Sequence, residues 1–276
     1  MKLGLIQSKQ NELYDFDNPK LYLSRERVLR LQEEMETQVI SLIKEACSKG
    51  CDFIVTSEAI NFCGVPKSID CDYREVIPEL GAPLFKVISD IAKEEKKYIA
   101  LGAYHQRNGR MYNSLLVYDP EGQQKFLYDK IHLAGSEQDR LTPGMEYLVM
   151  DTEYGKIGAA ICWDMQFPEV CRELVLRGAE LIICPTWGWE QIYGHARAYE
   201  NGVYVASAMS VPYQNNITGI RNPSEVISPE GKLLASGSRH MAEVITCELD
   251  IHNCKAARKM RMSNRHPETY RYVGKA

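Results

Sequence analysis

Several features that mark other classes of protein are missing from this sequence of 276 residues. There is no basic excess, because 33 lysine and arginine residues face 37 acidic residues and the formal net charge is -4. Such a chain lacks the electrostatic footprint of a nucleic-acid-binding protein. No apolar stretch approaches the roughly 20 residues that span a bilayer, and the N-terminus has no cleavable signal pattern. We therefore expect neither nucleic acid nor a membrane among its partners.

The nine cysteines are an odd number and are widely scattered, so they do not suggest a disulfide framework. Cys47 and Cys51 have the spacing C-x3-C, but no second pair of cysteines or histidines follows to complete a tetrahedral zinc site. No metal site is therefore expected. In a chain of this length, scattered thiols favour a reducing compartment, and we predict a cytoplasmic protein.

No linker, composition shift or internal repeat divides the chain. We predict a single domain over 1–276, with a core over about 1–250 and a basic, polar tail over 251–276 that wraps the surface or a partner. The length allows a sizeable core, and 45% of the residues are hydrophobic. The 12–30 segment is polar and aromatic, and it is a candidate lid or dimer arm.

Short apolar runs alternate with amphipathic stretches over the first and middle thirds of the chain. Predicted strands are 2–7, 52–57, 98–104, 156–162, 181–185 and 204–210, and predicted helices are 31–46, 84–92, 168–177 and 190–201. Two hairpins are predicted around Pro120-Glu121-Gly122 and Ser228-Pro229-Glu230-Gly231. This alternation, combined with hairpins, predicts an α/β domain with a mixed sheet.

Three reactive side chains stand at the ends of predicted strands: Glu58, Lys130 and Cys162. Ligand sites in open α/β sheets gather beyond strand ends, so we expect these groups to converge. Together they offer a nucleophile, a base and a cation that stabilises developing negative charge. Cys162 also precedes a predicted helix, and helix N-termini and nearby cations can lower a thiol pKa.

Three motifs surround these positions. They are Ser57-Glu58-Ala59, then Tyr128-Asp129-Lys130-Ile131-His132-Leu133, and then Ile161-Cys162-Trp163-Asp164 with Phe167-Pro168-Glu169. In their order and spacing they resemble the nitrilase (carbon–nitrogen hydrolase) superfamily, over roughly residues 1 to 250. The resemblance implies a four-layer α-β-β-α sandwich and a Glu58–Lys130–Cys162 triad, with Glu137 as a second glutamate. It also implies a homodimer or higher homo-oligomer, with the helix at Pro168 and the C-terminal tail at the interface.

The resemblance further implies hydrolysis of a small-molecule amide, with no metal or organic cofactor. Cys162 attacks the carbonyl carbon after Glu58 accepts its proton, and Lys130 with the backbone N–H of Trp163 holds the oxyanion. Ammonia or an amine then leaves, and water hydrolyses the thioester with Glu58 again as the base.

Residues beside the triad give partial guidance on the substrate. Nitrilases proper usually show Cys-Trp-Glu, so Asp164 favours an amidase. Gln166 stands where many amidase-like members carry arginine, and it cannot pair with a substrate carboxylate as arginine does. By resemblance, the candidate substrate-binding residues are Trp163, Gln166, Trp187 and Asn113.

Other functions remain open at this point. An N-carbamoyl-amine amidohydrolase or a nitrile hydrolase would be a different enzyme of the same superfamily, and a non-enzymatic interaction protein could share the fold. The intact triad counts against the last of these. A cysteine–histidine hydrolase of unrelated fold would need a histidine beside Cys162, whereas His132 is expected to hold its loop by hydrogen bonds. Ser57 stands where the family often has proline.

Overall fold

The computed structural model describes residues 1–14, 22–62, 69–213 and 222–273. Its strands are β1 (Lys2–Lys9), β2 (Phe53–Val55), β3 (Tyr98–Arg107), β4 (Arg110–Tyr118), β5 (Gln124–Asp129), β6 (Val149–Thr152), β7 (Gly155–Ala159), β8 (Leu181–Thr186), β9 (Tyr204–Val211), β10 (Glu225–Ile227), β11 (Leu233–Ser236) and β12 (Glu243–Glu248). Its helices are α1 (Arg25–Ser48), α2 (Pro83–Glu95), α3 (Pro168–Leu176), α4 (Gln191–Asn201) and α5 (Cys254–Met262). Within the described ranges, no helix has the length and apolar character needed to cross a bilayer.

Strand β1 joins the two halves of the strand network. The strands follow the order β5-β4-β3-β2-β1-β9-β8-β7-β6, and β12 pairs antiparallel with β1. β1 pairs with β2 along Leu3–Leu5 but with β9 only through Ser8 and Lys9. We call β1 to β5 with β12 the first sheet, and β6 to β11 the second sheet.

The central core lies between the two sheets. Leu3 and Leu5 of β1 and Ile183 of β8 belong to one buried cluster. The neighbouring residues Ile6 and Ile182 belong to two other buried clusters, on the outer faces of the first and second sheets. Because successive side chains of a strand alternate between faces and both faces are covered, these strands are apolar almost throughout.

Helices cover both outer faces. Val39 and Ile43 are four residues apart on α1, so they lie on the same helix face and pack on the first sheet. Ile88 of α2 packs on the same sheet. Val170 and Leu174 of α3 pack in the same way on the second sheet. The order helix, sheet, sheet, helix confirms the predicted α/β fold, a four-layer α-β-β-α sandwich.

Two elements go beyond the sequence-based prediction. The pattern misses β6, because this strand is short and largely unburied and forms only an antiparallel pair with β7. The tail over 251–276 contains α5, whose Cys254 and Ala257 are buried, so the start of the tail packs on the domain. In the 12–30 segment α1 begins at Arg25, while residues 15–21 lie outside the described ranges.

Three buried serines link the two sheets beside the end of β2. The hydroxyl of Ser8 lies 2.7 Å from that of Ser57, and it donates to the hydroxyl of Ser210 at 2.9 Å. A proline in place of Ser57 could not make this contact. Since Ser57 directly precedes Glu58, the linkage lies next to the predicted base.

Candidate active site

Cys162 lies on a sharp turn after β7, which ends at Ala159 rather than continuing to Cys162 as predicted. Cys162 has a φ of 43°, in the left-handed region, where a non-glycine residue costs about 1–3 kcal/mol. A 3-10 turn over Cys162–Gln166 follows, and α3 begins only at Pro168. Backbone strain of this kind persists where the surroundings hold it, and it clusters at active sites.

The thiol of Cys162 is protonated at neutral pH. Burial raises its pKa to about 11, and the charge of Glu58 adds to the rise. Lys130, the backbone at Trp187 and the hydroxyl of Thr186 act in the opposite direction without offsetting it. This direction is the opposite of the lowering expected from a helix N-terminus, and α3 begins only at Pro168. Such a thiol needs a base to remove its proton during attack.

Glu58 follows β2 and offers that base. Its Oε1 accepts hydrogen bonds from Lys130 Nζ and Asn113 Nδ2, each at 2.8 Å. Its Oε2 is buried and has no hydrogen-bond partner among the described residues. Burial raises the pKa of Glu58; the charge of Lys130 counteracts this rise and that of Glu137 adds to it. The unpartnered oxygen is available to accept a proton.

Gly102 on β3 lets the backbone at Glu58 lie close against the first sheet. A Cβ at this position would lie 2.5 Å from the carbonyl oxygen of Ser57 and 3.1 Å from the Cα of Glu58. Real side chains do not tolerate such contacts, so this close approach requires glycine.

Lys130 lies between two carboxylates. Its Nζ is 2.8 Å from Oε1 of Glu58 and 2.8 Å from Oε2 of Glu137, and the lysine side chain is 2% exposed. Burial alone would lower the pKa of Lys130, but the negative charges of Glu58 and Glu137 hold it well above its ordinary value. The ammonium therefore remains charged at neutral pH.

Glu137 is held by donors on both oxygens. Its Oε1 accepts from the hydroxyl of Tyr104 at 2.8 Å and from Nδ2 of Asn113 at 2.9 Å, and its Oε2 accepts from the backbone N–H of Ala134 at 2.9 Å. Burial alone would raise the pKa of Glu137, but Lys130 holds it below its ordinary value. Glu137 therefore stays ionised and orients the ammonium.

The two buried glutamates thus have opposite pKa shifts. Glu137 has its oxygens occupied and a lowered pKa, whereas Glu58 has an unpartnered oxygen and a raised pKa. Environments that separate the pKa values of two such groups assign different acid–base roles to them. The arrangement can move a proton between Cys162 and Glu58 while Lys130 stays charged.

The four predicted substrate-binding residues occupy different surroundings. Trp163 is 43% exposed. Trp187 is half-buried, and its backbone forms a hydrogen bond with the thiol of Cys162. Gln166 is half-buried, and its carbonyl accepts from Arg197 at 3.0 Å. Asn113 is buried and donates to both glutamates, so it orders the carboxylates. Contact of these residues with substrate stays a prediction.

Two residues of the site do not stand out in the sequence. Thr186 ends β8, so the rule that reactive groups follow strands could have found it. Tyr104 lies within β3 and faces Asn113 across the strand pair, and nothing in the sequence reveals that register. The expectation for His132 is confirmed, because its Nδ1 lies 2.9 Å from Oδ1 of Asp164.

The ammonium of Lys130 lies between Glu58 and Glu137 and supplies positive charge there. In the described ranges, no group of three or more histidine, cysteine or acidic side chains is arranged to hold a metal ion.

The geometry agrees with the sequence comparisons. A profile described as carbon-nitrogen hydrolase matches residues 26–259. The chain belongs to the carbon–nitrogen hydrolase family. This confirms the predicted nitrilase-superfamily membership. The chain is also similar to omega-amidase NIT2-B of Xenopus laevis, with 32% identity over 228 residues, which are 76% of this chain and 80% of that protein.

Solved structures of carbon–nitrogen hydrolases share the fold. A carbon–nitrogen hydrolase from Helicobacter pylori G27 superposes with a TM-score of 0.81 and 19% identity, covering 100% of this chain and 98% of that one. A mutant amidase from Nesterenkonia sp. AN1 superposes with a TM-score of 0.76 and 19% identity, covering 98% and 95% of the two chains. That amidase carries the acetamide moiety of fluoroacetamide on its active-site cysteine.

Proposed function

We propose that this carbon–nitrogen hydrolase is an amidase that releases ammonia from a small amide through a thioester on Cys162. The observation that carries the proposal is the buried Oε2 of Glu58, which lacks a hydrogen-bond partner within the described ranges. Its charge acts on a thiol whose pKa is about 11. A protonated nucleophile, an unpartnered carboxylate oxygen and a permanent ammonium suit attack on an uncharged carbonyl.

In the first step, Sγ of Cys162 bonds to the amide carbon as the thiol proton passes to Oε2 of Glu58. The electron pair of the C=O π bond moves onto oxygen. The ammonium of Lys130 and the backbone N–H of Trp163 stabilise this oxyanion. Removing one such donor typically costs about 10²–10³ in turnover.

In the second step, Glu58 gives its proton to the leaving nitrogen, the C–N bond breaks and ammonia departs. The acyl group stays on Cys162 as a thioester. Water then attacks the thioester carbon while Glu58 accepts a proton from it. The sulfur leaves and regains a proton from Glu58, and the acid is released.

The similar proteins support an amide substrate. The Xenopus relative is named an omega-amidase, and the Nesterenkonia neighbour is an amidase whose active-site cysteine carries the acetamide moiety of fluoroacetamide. Gln166 offers no charge to a substrate carboxylate. We therefore place the substrate among small amides, ahead of N-carbamoyl amines and nitriles.

The test is a panel of amides, N-carbamoyl amines and nitriles, with ammonia release and the intact protein mass as readouts. We expect ammonia from amides and an acyl mass on the peptide that contains Cys162. Cys162→Ala abolishes both signals with an unchanged circular dichroism spectrum. Cys247→Ala is the matched control, because this half-buried thiol lies on β12 and its Sγ contacts the backbone carbonyl of Glu248.

Residual turnover by Cys162→Ala would contradict the mechanism. Faster turnover of carbamoyl amines or nitriles than of amides assigns the chain to one of those branches. Turnover of none of the three classes would contradict the proposed amidase and would favour the non-enzymatic alternative.

We also propose a homodimer formed through α3 and the tail. A groove of about 310 Å³ lies between them. Its lining is Pro168, Glu169, Arg172, Arg261, Arg265, Tyr270 and Val273. Tyr270 and Val273 in this lining are 45% and 63% exposed, and clustered exposed apolar groups mark association surfaces. Light scattering of the protein and of Val273→Arg tests this, and a monomeric wild type contradicts it.

A cytoplasmic location is part of the proposal. The cysteines in the described ranges are free, which suits a reducing compartment, while Cys63 lies outside those ranges. Cell fractionation with an antibody to the protein tests the location.

A further inference from the structure

Four hydrogen-bond donors converge on Asp164, whose side chain is fully buried. Its Oδ2 accepts from the hydroxyl of Tyr128 at 2.8 Å and from the backbone N–H of Ile161 at 2.9 Å. Its Oδ1 accepts from the backbone N–H and from Nδ1 of His132, both at 2.9 Å. Ile161 precedes the nucleophile, while Tyr128 and His132 flank the catalytic lysine. One carboxylate therefore joins the two segments that carry reacting groups.

The donors around Asp164 require a carboxylate. Each oxygen faces one backbone N–H, from Ile161 or from His132, and a backbone N–H cannot accept a hydrogen bond. An asparagine in either rotamer would place its own NH₂ group against one of them. A buried donor left without an acceptor costs about 1–3 kcal/mol. The requirement comes from the protein itself, since Asp164 has no exposed surface to offer a substrate.

We infer that Asp164 is a positioning residue that fixes Cys162 relative to the Lys130–Glu58 pair. Cys162 follows β7 of the second sheet, whereas Lys130 follows β5 of the first, so no single strand sets their separation. The carboxylate of Asp164 connects the segment that follows the second sheet's β7 to the segment that follows the first sheet's β5. Its effect on turnover rests on the proposed amidase function, but its effect on the thiol can be measured without a substrate.

The experiment compares Asp164→Asn with wild type and with Asp151→Asn, a matched control whose carboxylate is 79% exposed on β6. We expect kcat to fall about 100-fold in Asp164→Asn, because a misplacement of about 1 Å has an effect of this size. KM is expected to change little. The rate of Cys162 alkylation by iodoacetamide, followed by peptide mass, falls in the same variant. The alkylation of Cys247 in the same sample is unchanged.

Tyr128→Phe gives an independent measurement if Asp164→Asn does not fold. It keeps the carboxylate and removes one donor, so it is expected to lower both turnover and Cys162 alkylation by a smaller factor. In the double variant, the two losses combine to less than their product, because both changes act on the hydrogen-bond network of the same side chain.

Unchanged Cys162 alkylation in a folded Asp164→Asn variant, or in Tyr128→Phe when the former does not fold, overturns the inference. A different result contradicts the proposed function alone: alkylation of Cys162 depends on Asp164, but wild type hydrolyses no amide. The two ideas therefore fail in distinguishable ways.

Discussion

Lys130 and Glu58 form an ion pair with Nζ and Oε1 2.8 Å apart, and their side chains are only 2% and 3% exposed. Removing two charges from water is costly, and their mutual attraction offsets that cost only while both partners are present. Glu137 is a second buried carboxylate beside Lys130. The desolvation cost of both carboxylates is therefore offset by the charge of this single ammonium.

Lys130→Met is expected to destabilise the protein by about 3–5 kcal/mol, the usual cost of leaving a buried charge unpaired. Glu58 and Glu137 then carry uncompensated negative charge, and protonation in mild acid relieves it. The loss in the free energy of unfolding is therefore larger at pH 8 than at pH 5, as urea titrations at both values measure. Lys86→Met, at an exposed lysine on α2, is the control. Equal losses at both pH values would contradict the prediction.

Glu58→Gln is expected to lower kcat by about 10²–10⁴, the range typical of a lost general base, with little change in KM. In wild type, turnover rises with pH through the raised pKa of Glu58, because the base must be ionised. The glutamine variant lacks this dependence. Ammonia release across pH measures both effects, and Glu34→Gln, exposed on α1, is the control. A Glu58→Gln variant with wild-type kcat would exclude Glu58 as the base.

Glu137 is expected to contribute stability that is lost in acid. Its pKa in the folded protein lies below the ordinary value of 4.5. The contribution is therefore fully present above that value and disappears as pH falls through the lowered pKa. Glu58 has the opposite sign, since its pKa is raised and its contribution disappears as pH rises. Unfolding titrations below pH 4.5 are expected to show a shallower stability loss in Glu137→Gln than in wild type, and parallel curves contradict the assignment.

Gly102→Ala is expected to reduce activity more than stability alone explains. The new Cβ would press on the carbonyl of Ser57 and on the Cα of Glu58, which displaces the base. Gly4→Ala is the matched control, because its Cβ would meet Sγ of Cys51 at 2.8 Å on the α1 side of the first sheet. Thermal midpoints and kcat are compared for both variants. If the two lose activity equally for an equal drop in midpoint, Gly102 has no specific effect on Glu58.

Gln166→Arg is expected to shift substrate preference towards anionic amides. The new guanidinium would offer a bidentate partner to a substrate carboxylate. The measurement is the ratio of kcat/KM for a neutral and an anionic amide of similar size. An unchanged ratio would show that position 166 does not select the substrate.

The convergence of Glu58, Lys130 and Cys162 could be predicted from the sequence, because each residue follows an apolar run and strand ends converge in α/β sheets. Hydrophobic spacing located most helices and strands as well. The four-layer order required more, namely the resemblance of the motifs to a known family.

The surroundings of those residues could not be predicted. The contacts of Glu137 depend on the register that sets Tyr104 opposite Asn113 across β3 and β4. The direction of the Cys162 pKa shift depends on its burial. Three of the four donors on Asp164 belong to Tyr128 and His132, which lie 36 and 32 residues away in sequence. Each of these features arises from three-dimensional packing, which local sequence patterns do not reveal.

The serine linkage at Ser8 has a consequence for how the protein loses activity. Ser8 bonds to Ser57, beside the base, and to Ser210 in the sheet that carries the nucleophile. The proposed base and the proposed nucleophile therefore follow strands of two different sheets, and this buried serine contact helps to join those sheets. Separation of the two sheets at the serine contact is therefore expected to stop turnover in mild denaturant before helical structure is lost.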